Sequence, residues 1–335
     1  PVLVPLVDGD TRVGQAQIRA AFDAAQGDAW TLTGDLVNLT RADVTMDRFA
    51  LDAMGTISRG ETRSVTARID TTASGLVLDD SALAAALGRE VSFGSDIRWR
   101  DGQPIDFSDL RLAAPGMTLS GAGSVDLRNK DLSVRGAIMA QIENLSRLAQ
   151  LSGQPLRGAI TAEVSGEATL GTKAFDLILS ATGRDLKIGV PQADEILVGT
   201  SRLEISANGT PEAVTLRGFD LVASGATAKA TGRVKSGDSD VEFSGSLKDT
   251  ARFYDALNGA TTLNGRAQED GAGWRVSLAA QAPRAVNLNA TLNLPKAGEP
   301  DARFDVSIPS LAWVAPELAG PARLNGTARR AGAQW

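Results

Sequence analysis

Cysteine and histidine are both absent from the 335 residues. Without cysteine there can be no disulfide, zinc–thiolate site, iron–sulfur cluster or thiol nucleophile. Without histidine the commonest general base and the commonest transition-metal ligand are missing. Aromatic residues make up only 4%, so any buried layer has to be lined by Ala, Val, Leu and Ile. The net charge of −6 is spread along the chain. With no basic patch interleaved with aromatics, nucleic acid is a poor partner. No apolar run is long enough to cross a bilayer.

What the chain does have is alternation. Apolar and polar residues take turns over 5 to 9 positions, the period of a half-buried strand. Phe175, Leu177, Leu179 and Ala181 form one such run. Trp274, Val276, Leu278, Ala280 and Ala282 form another, followed by Val286, Leu288, Ala290, Leu292 and Leu294, then by Phe304, Val306 and Ile308. About twenty runs are separated by turn signals such as Asn208-Gly209, Ser236-Gly237-Asp238 and Asp270-Gly271. One apolar and one polar face per strand, with short turns between, predicts antiparallel neighbours and not a parallel α/β sheet.

Short helices are expected where apolar residues fall at helical spacing: Ile18, Ala21, Phe22 and Ala25; Leu83 and Leu87; Ile142, Leu145, Leu148 and Leu151; Phe253 and Leu257; Leu311, Val314 and Leu318. These run into Gly27, Gly88, Gly153, Gly259 and Gly320, as helix C-termini do. The glycines recur about 61 to 65 positions apart, except for an interval of about 106 between Gly153 and Gly259. At a constant offset, Leu257, Gly259, Leu263, Asn264, Gly265, Ala267 and Trp274 match Leu318, Gly320, Leu324, Asn325, Gly326, Ala328 and Trp335. The expected organisation is a lead-in with a short helix over residues 1–27, then a repeat-built β region over 28–335. Its sub-units fall near 28–88, 89–153, 154–259 and 260–320, and the whole reads as an internal piece of a longer protein.

The fold class expected is therefore mostly β: a long curved antiparallel sheet with a few short interrupting helices. Twenty strands at about 4.8 Å spacing would span roughly 95 Å, and the apolar face has to be shielded from water. A filled sandwich and a curled sheet with vacant apolar space both answer this. Small inward residues such as Ala226, Ala228, Ala230 and Gly232 favour the second. The expected groove lining is Val164, Phe175, Leu177, Leu179, Val276, Leu278, Leu288 and Leu292. Leu145, Leu148 and Leu151 form either a cap on the local core or a plug.

Catalytic and metal sites are expected to be lacking. Asp79-Asp80 and Glu269-Asp270 sit in turn contexts. Asp8-Gly9-Asp10 has too few acids for a calcium loop, and Gly121-Ala122-Gly123 lies inside a strand without a following helix. The Asn-x-Ser/Thr triplets at Asn38, Asn144, Asn208, Asn289 and Asn325 read as polar-face and turn residues. No cofactor is implied.

Residues 148–158 (LAQLSGQPLRG), leading into the alternating strand 159–164, together with 257–265, 318–326 and 175–186, resemble the TamB and AsmA-like group of bacterial envelope proteins. The resemblance covers most of the chain from about residue 28. It implies a β-taco, a half-pipe with an apolar interior that spans the periplasm of a Gram-negative bacterium. It also implies an inner-membrane anchor and an outer-membrane barrel partner of the TamA type, both engaged through regions outside these residues. The implied function is non-enzymatic: passage of phospholipid acyl chains between membranes, with a role in outer-membrane protein and autotransporter assembly. A structural or adhesive secreted β-solenoid with a filled core is the alternative, and an enzyme on a β-helix a third.

Overall fold

The computed structural model describes residues 2–6, 9–128, 131–252, 255–313, 317–318 and 320–329. Strand makes up 67% and helix 9%, so the expected class stands: mostly β, antiparallel, not closed into a barrel. Phe253, Val314, Trp335 and Asp8, named above, lie outside the described residues.

The chain divides into two compact units, one of residues 1–173 and 181–194, the other of residues 174–180 and 195–335. The first holds β1 (Val2–Leu6), β2 (Gly9–Asp23), β3 (Ala29–Arg41), β4 (Val44–Ser58), β5 (Ser64–Ser74), β6 (Val77–Leu78), β7 (Glu90–Arg100), β8 (Ile105–Ala114), β9 (Met117–Asp126), β10 (Ser133–Ile142) and β11 (Arg157–Thr169). Strand β12 (Ala174–Lys187) has residues in both units. The second unit continues with β13 (Thr200–Thr210), β14 (Ala213–Val222), β15 (Ala226–Lys235), β16 (Ser239–Leu247), β17 (Thr261–Asp270), β18 (Gly273–Ala282), β19 (Val286–Pro295), β20 (Asp301–Ile308) and β21 (Ala322–Arg329).

Within each unit the ladder follows chain order. In the first, β1 to β5 pair in sequence, β5 pairs with β7, and β7 to β11 pair in sequence, while the two-residue β6 lies on β4. In the second, β13 to β21 pair each with the next. Every pairing is antiparallel, as tight connections require.

Strict up-and-down order sorts the connections onto two rims. In the first unit α1 (Ser81–Leu87) and α2 (Ala149–Ser152), with the 3-10 turn Leu145–Leu148 before it, follow β6 and β10 and so share one set of strand ends. The opposite ends carry the connections after β4, β7 and β9. In the second unit the 3-10 turns Thr250–Arg252 and Pro283–Ala285 again share one set of ends.

The helix expectations divide. Leu83 and Leu87 lie in α1, and Leu145, Leu148 and Leu151 in the 145–152 turn and helix, whereas Ile142 closes β10. Residues 18–23 are strand, and helix there shrinks to the 3-10 turn Ala24–Gln26, capped by Asp23. The cause is an ambiguity of spacing: residues four apart share a face in a strand as well as in a helix. Leu311 and Leu318 are not helical, and Asn208-Gly209 lies inside β13, the turn falling at Pro211-Glu212 instead. All five repeat glycines take positive φ. The long interval contains a helix that the spacing did not reveal, α3 (Pro191–Ile196), followed by Gly199 at φ 82.

The repeat persists in register. Phe243 faces Gly265 and Leu247 faces Thr261 in β16–β17. At an offset of 61, Phe304 faces Gly326 and Ile308 faces Ala322 in β20–β21. Loop closure repeats too: Thr250 N–H donates to Gly259 O at 2.8 Å, and Leu311 N–H to Gly320 O at 3.0 Å.

Candidate functional site

The alternation collects the apolar residues of each unit into cross-strand rows. In the second unit one row runs Ala228, Gly245, Leu263, Ala280, Leu288, Val306, Leu324. Beside it runs Ala230, Phe243, Gly265, Leu278, Ala290, Phe304, Gly326, and beyond that Ala267, Val276, Leu292, Ala302. Four of the expected lining residues, Val276, Leu278, Leu288 and Leu292, therefore meet in one patch on β18 and β19. Phe175, Leu177 and Leu179 share a face of β12, which is not a ladder neighbour of either strand, so they are not part of that patch. Val164 belongs to the first unit, in the row Leu110, Gly121, Ile138, Val164.

These residues share one face of the sheet, and all but Val164 are part-buried. Among the described residues only eight apolar side chains are buried, five of them alanine, and none is an expected lining residue. Val164 is 39% exposed and its neighbour Ile138 47%. Ile18 and Phe22, on the corresponding face of β2, are 64% and 50% exposed. The chain leaves 20451 Å² accessible, whereas a compact monomer of 34.8 kDa would leave about 13,000 Å².

Rings on this face lie over glycines. A Cβ on Gly265 would sit 2.5 Å from Phe243 Cζ, one on Gly326 2.8 Å from Phe304 Cζ, and one on Gly55 3.0 Å from Trp30 Cε2. The missing side chain lets the ring lie flat across the next strand. Gly121-Ala122-Gly123 belongs to β9. There a Cβ on Gly136 of β10 would stand 2.8 Å from Gly123 Cα, so the two backbones approach more closely than any side chain allows.

The opposite face is polar and laced by ion pairs. Arg48 donates to Asp35 at 2.9 and 2.6 Å, and Arg135 pairs with Glu167 directly across β10 and β11. Arg111 of β8 reaches Asp70 of β5 at 3.5 Å across the intervening Gly94. Arg217 of β14 bonds Ser206 at 2.8 Å and reaches Asp176 of β12 at 2.9 Å. Hydrogen bonding to Arg217 holds the Asp176 carboxyl below its ordinary range and raises the guanidinium in turn. Arg128 does the same to Asp126, whose pKa falls to about 2. Two recesses of about 540 and 490 Å³ in the second unit are lined mainly by polar-face residues such as Asn264, Ser277, Asn289 and Arg303.

The helical rim of the first unit is a packed joint. Arg147, in the turn before α2, donates to Ala86 O of α1 at 3.2 Å, and Ala86 is buried. Leu145 and Leu148 are half-buried, while Leu151 is 48% exposed. In the second unit Arg284 donates to Ala256 O at 3.3 Å and lies 5.8 Å from the Trp313 ring.

The paired acids have local structural partners. Asp80 caps α1 through Ala82 N and Leu83 N. Asp270 accepts from Ala272 N, and Glu269 takes Ser239 Oγ at 3.0 Å and Lys296 at 3.3 Å. Among the described residues no group of three or more acids is placed to hold a metal, and no helix is long and apolar enough to cross a membrane. Asn144 caps the 145–148 turn and Asn38 takes φ 53 within β3. Comparison with family models, with curated proteins and with solved structures finds no match for this chain.

Ile138 and Leu110 are lining residues that alternation alone passed over. The run of Ile138 is interrupted by Gly136 in β10, and that of Leu110 by a bulge at Asp109, φ 52, in β8.

Proposed function

We propose that this chain is a non-enzymatic lipid-bearing segment of the TamB and AsmA-like kind. Its apolar face lies against phospholipid acyl chains in the periplasm while head groups remain in water. The observation that supports the reading is the incompletely buried apolar face: rows of Leu, Val, Ile and Phe that share one side of the sheet, none of the expected lining residues being fully buried. Leaving such area wet forfeits about 25 cal/mol per Å², so a sheet built this way is stable in company with an apolar occupant. Dispersion and burial are non-directional, which suits an occupant that slides. The inner-membrane anchor, the outer-membrane barrel of the TamA type and the role in barrel and autotransporter assembly belong to the same proposal, through regions outside these residues.

Solvent extraction of the purified chain tests it. Phospholipid at one or more molecules per chain is expected, and Leu278→Glu should remove most of it while circular dichroism keeps its strand signal. Protein free of lipid after detergent-free purification would overturn the proposal.

A further inference from the structure

Four Asn-Gly pairs stand in the chain, at Asn208, Asn258, Asn264 and Asn325. In such a pair the glycine nitrogen can close on the Asn amide carbon, because no side chain on the second residue obstructs it. Three of the four are held in strands. Asn208 lies in β13 opposite Thr215, Asn264 in β17 between Ser244 and Ala279, and Asn325 in β21 opposite Asp305. Ring closure there would turn the Asn ψ away from its extended value of about +135° and pull the pair out of its ladder. Asn258 differs. It is exposed, outside helix and strand, in the connection from β16 to β17. Gly259 takes φ 126, a conformation that favours glycine, and its N–H donates to Asp249 Oδ1 at 3.2 Å. The same carboxylate oxygen is fixed by the Ala251 N–H at 3.0 Å.

We propose that Asn258-Gly259 is a self-modification site, converted to aspartate and isoaspartate with Asp249 as the proton acceptor. The Gly259 nitrogen attacks Asn258 Cγ. As the new C–N bond forms the nitrogen turns acidic, and Asp249 lies within reach of its proton. That proton passes to the departing amide nitrogen, which leaves as ammonia, and a five-membered succinimide remains. Water then opens the ring. Addition at the side-chain carbonyl gives aspartate, and addition at the main-chain carbonyl gives isoaspartate, whose backbone runs through the extra methylene. Either product adds a negative charge beside the N–H that Asp249 holds, which works against the loop closure from Thr250 N–H to Gly259 O. The amide is not needed for that closure: the next repeat forms it from Leu311 to Gly320, with Ala319 at the matching position in sequence. The inference does not depend on what lies against the apolar face.

Ageing the full chain near neutral pH, followed by peptide mass mapping, tests this. Asn258 should deamidate at least tenfold faster than Asn208, Asn264 or Asn325, read as a gain of a single mass unit and a split of the peptide into aspartate and isoaspartate forms. In urea the rates at all the Asn-Gly pairs should draw together, since the fold alone separates them. Asp249→Asn keeps an oxygen acceptor for both N–H groups but removes the base. It should slow Asn258 at least fivefold in the folded chain and leave the rate in urea unchanged, with continued slow reaction at Asn264 reporting an intact ladder. Similar rates at every pair in the folded chain would overturn the site. Modification of Asn258 in Asp249→Asn at the parent rate or faster would overturn the role of Asp249.

Discussion

Phe243 and Phe304 each lie over a glycine of the neighbouring strand, and that relation has a measurable consequence. A methyl on Gly265 would meet the Phe243 ring at 2.5 Å and the Ser277 carbonyl at 2.5 Å, so ring and strand must both shift. Overpacking of this kind costs about 1–3 kcal/mol. Gly265→Ala should therefore lower the urea midpoint clearly, while Gly271→Ala, with nothing within 4 Å, should leave it within about 0.5 kcal/mol. Charge at single residues makes a second prediction. Asp126, held at about 2 by Arg128, and Asp176, lowered by Arg217, bind protons more weakly folded than unfolded. Their stabilisation is present above the ordinary Asp value of 3.8 and is lost as pH falls through the folded values. Asp126→Asn should flatten the decline of melting temperature between about pH 4 and pH 2, whereas an unchanged slope would place the acid sensitivity elsewhere. Both pairs are exposed, so salt should weaken them as well.

At the scale of elements, α1 is only seven residues long, too short to persist without tertiary support. It is held by its cap and its neighbour: Asp80 accepts from two backbone N–H groups, and Arg147 reaches the carbonyl of Ala86. Asp80→Ala is expected to cost about 1 kcal/mol, seen as faster amide exchange in residues 81–87 with β7–β10 little changed. How much could be read from residue order differs by element. Strands such as β12, β18 and β19 were legible because apolar residues recur at every second position along them. β2 was not, because Ile18 and Phe22 satisfy helix and strand spacing alike, and pairing with β3 decided for strand. α3 was hidden because its apolar residues are few, and only Gly199 marks its end. The grouping of Val276, Leu278, Leu288 and Leu292 followed from register across one hairpin. Their separation from Phe175, Leu177 and Leu179 depends on how many strands intervene, which a face-by-face reading does not count.

For the whole molecule, the decisive quantity is the surface that folding removes from water. An unfolded chain of 34.8 kDa exposes about 50,000 Å², so the folded chain, at 20451 Å², buries about 60% of it. That is the fraction expected of a 60-residue domain, against about 75% for a compact chain of 300 residues. Apolar exposure dominates the heat capacity of unfolding. A compact protein of this length would show about 4–5 kcal/mol/K by the per-residue average. Lipid-free protein should fall below that by roughly a fifth, with a low urea m-value to match. Leu278→Glu sharpens the contrast. On an open face it should cost less than about 1 kcal/mol, whereas a charge in a filled core would cost several. A heat capacity at the compact value together with severe destabilisation by Leu278→Glu would mean that the apolar rows are packed in solution, and an acyl chain would then have no surface to occupy.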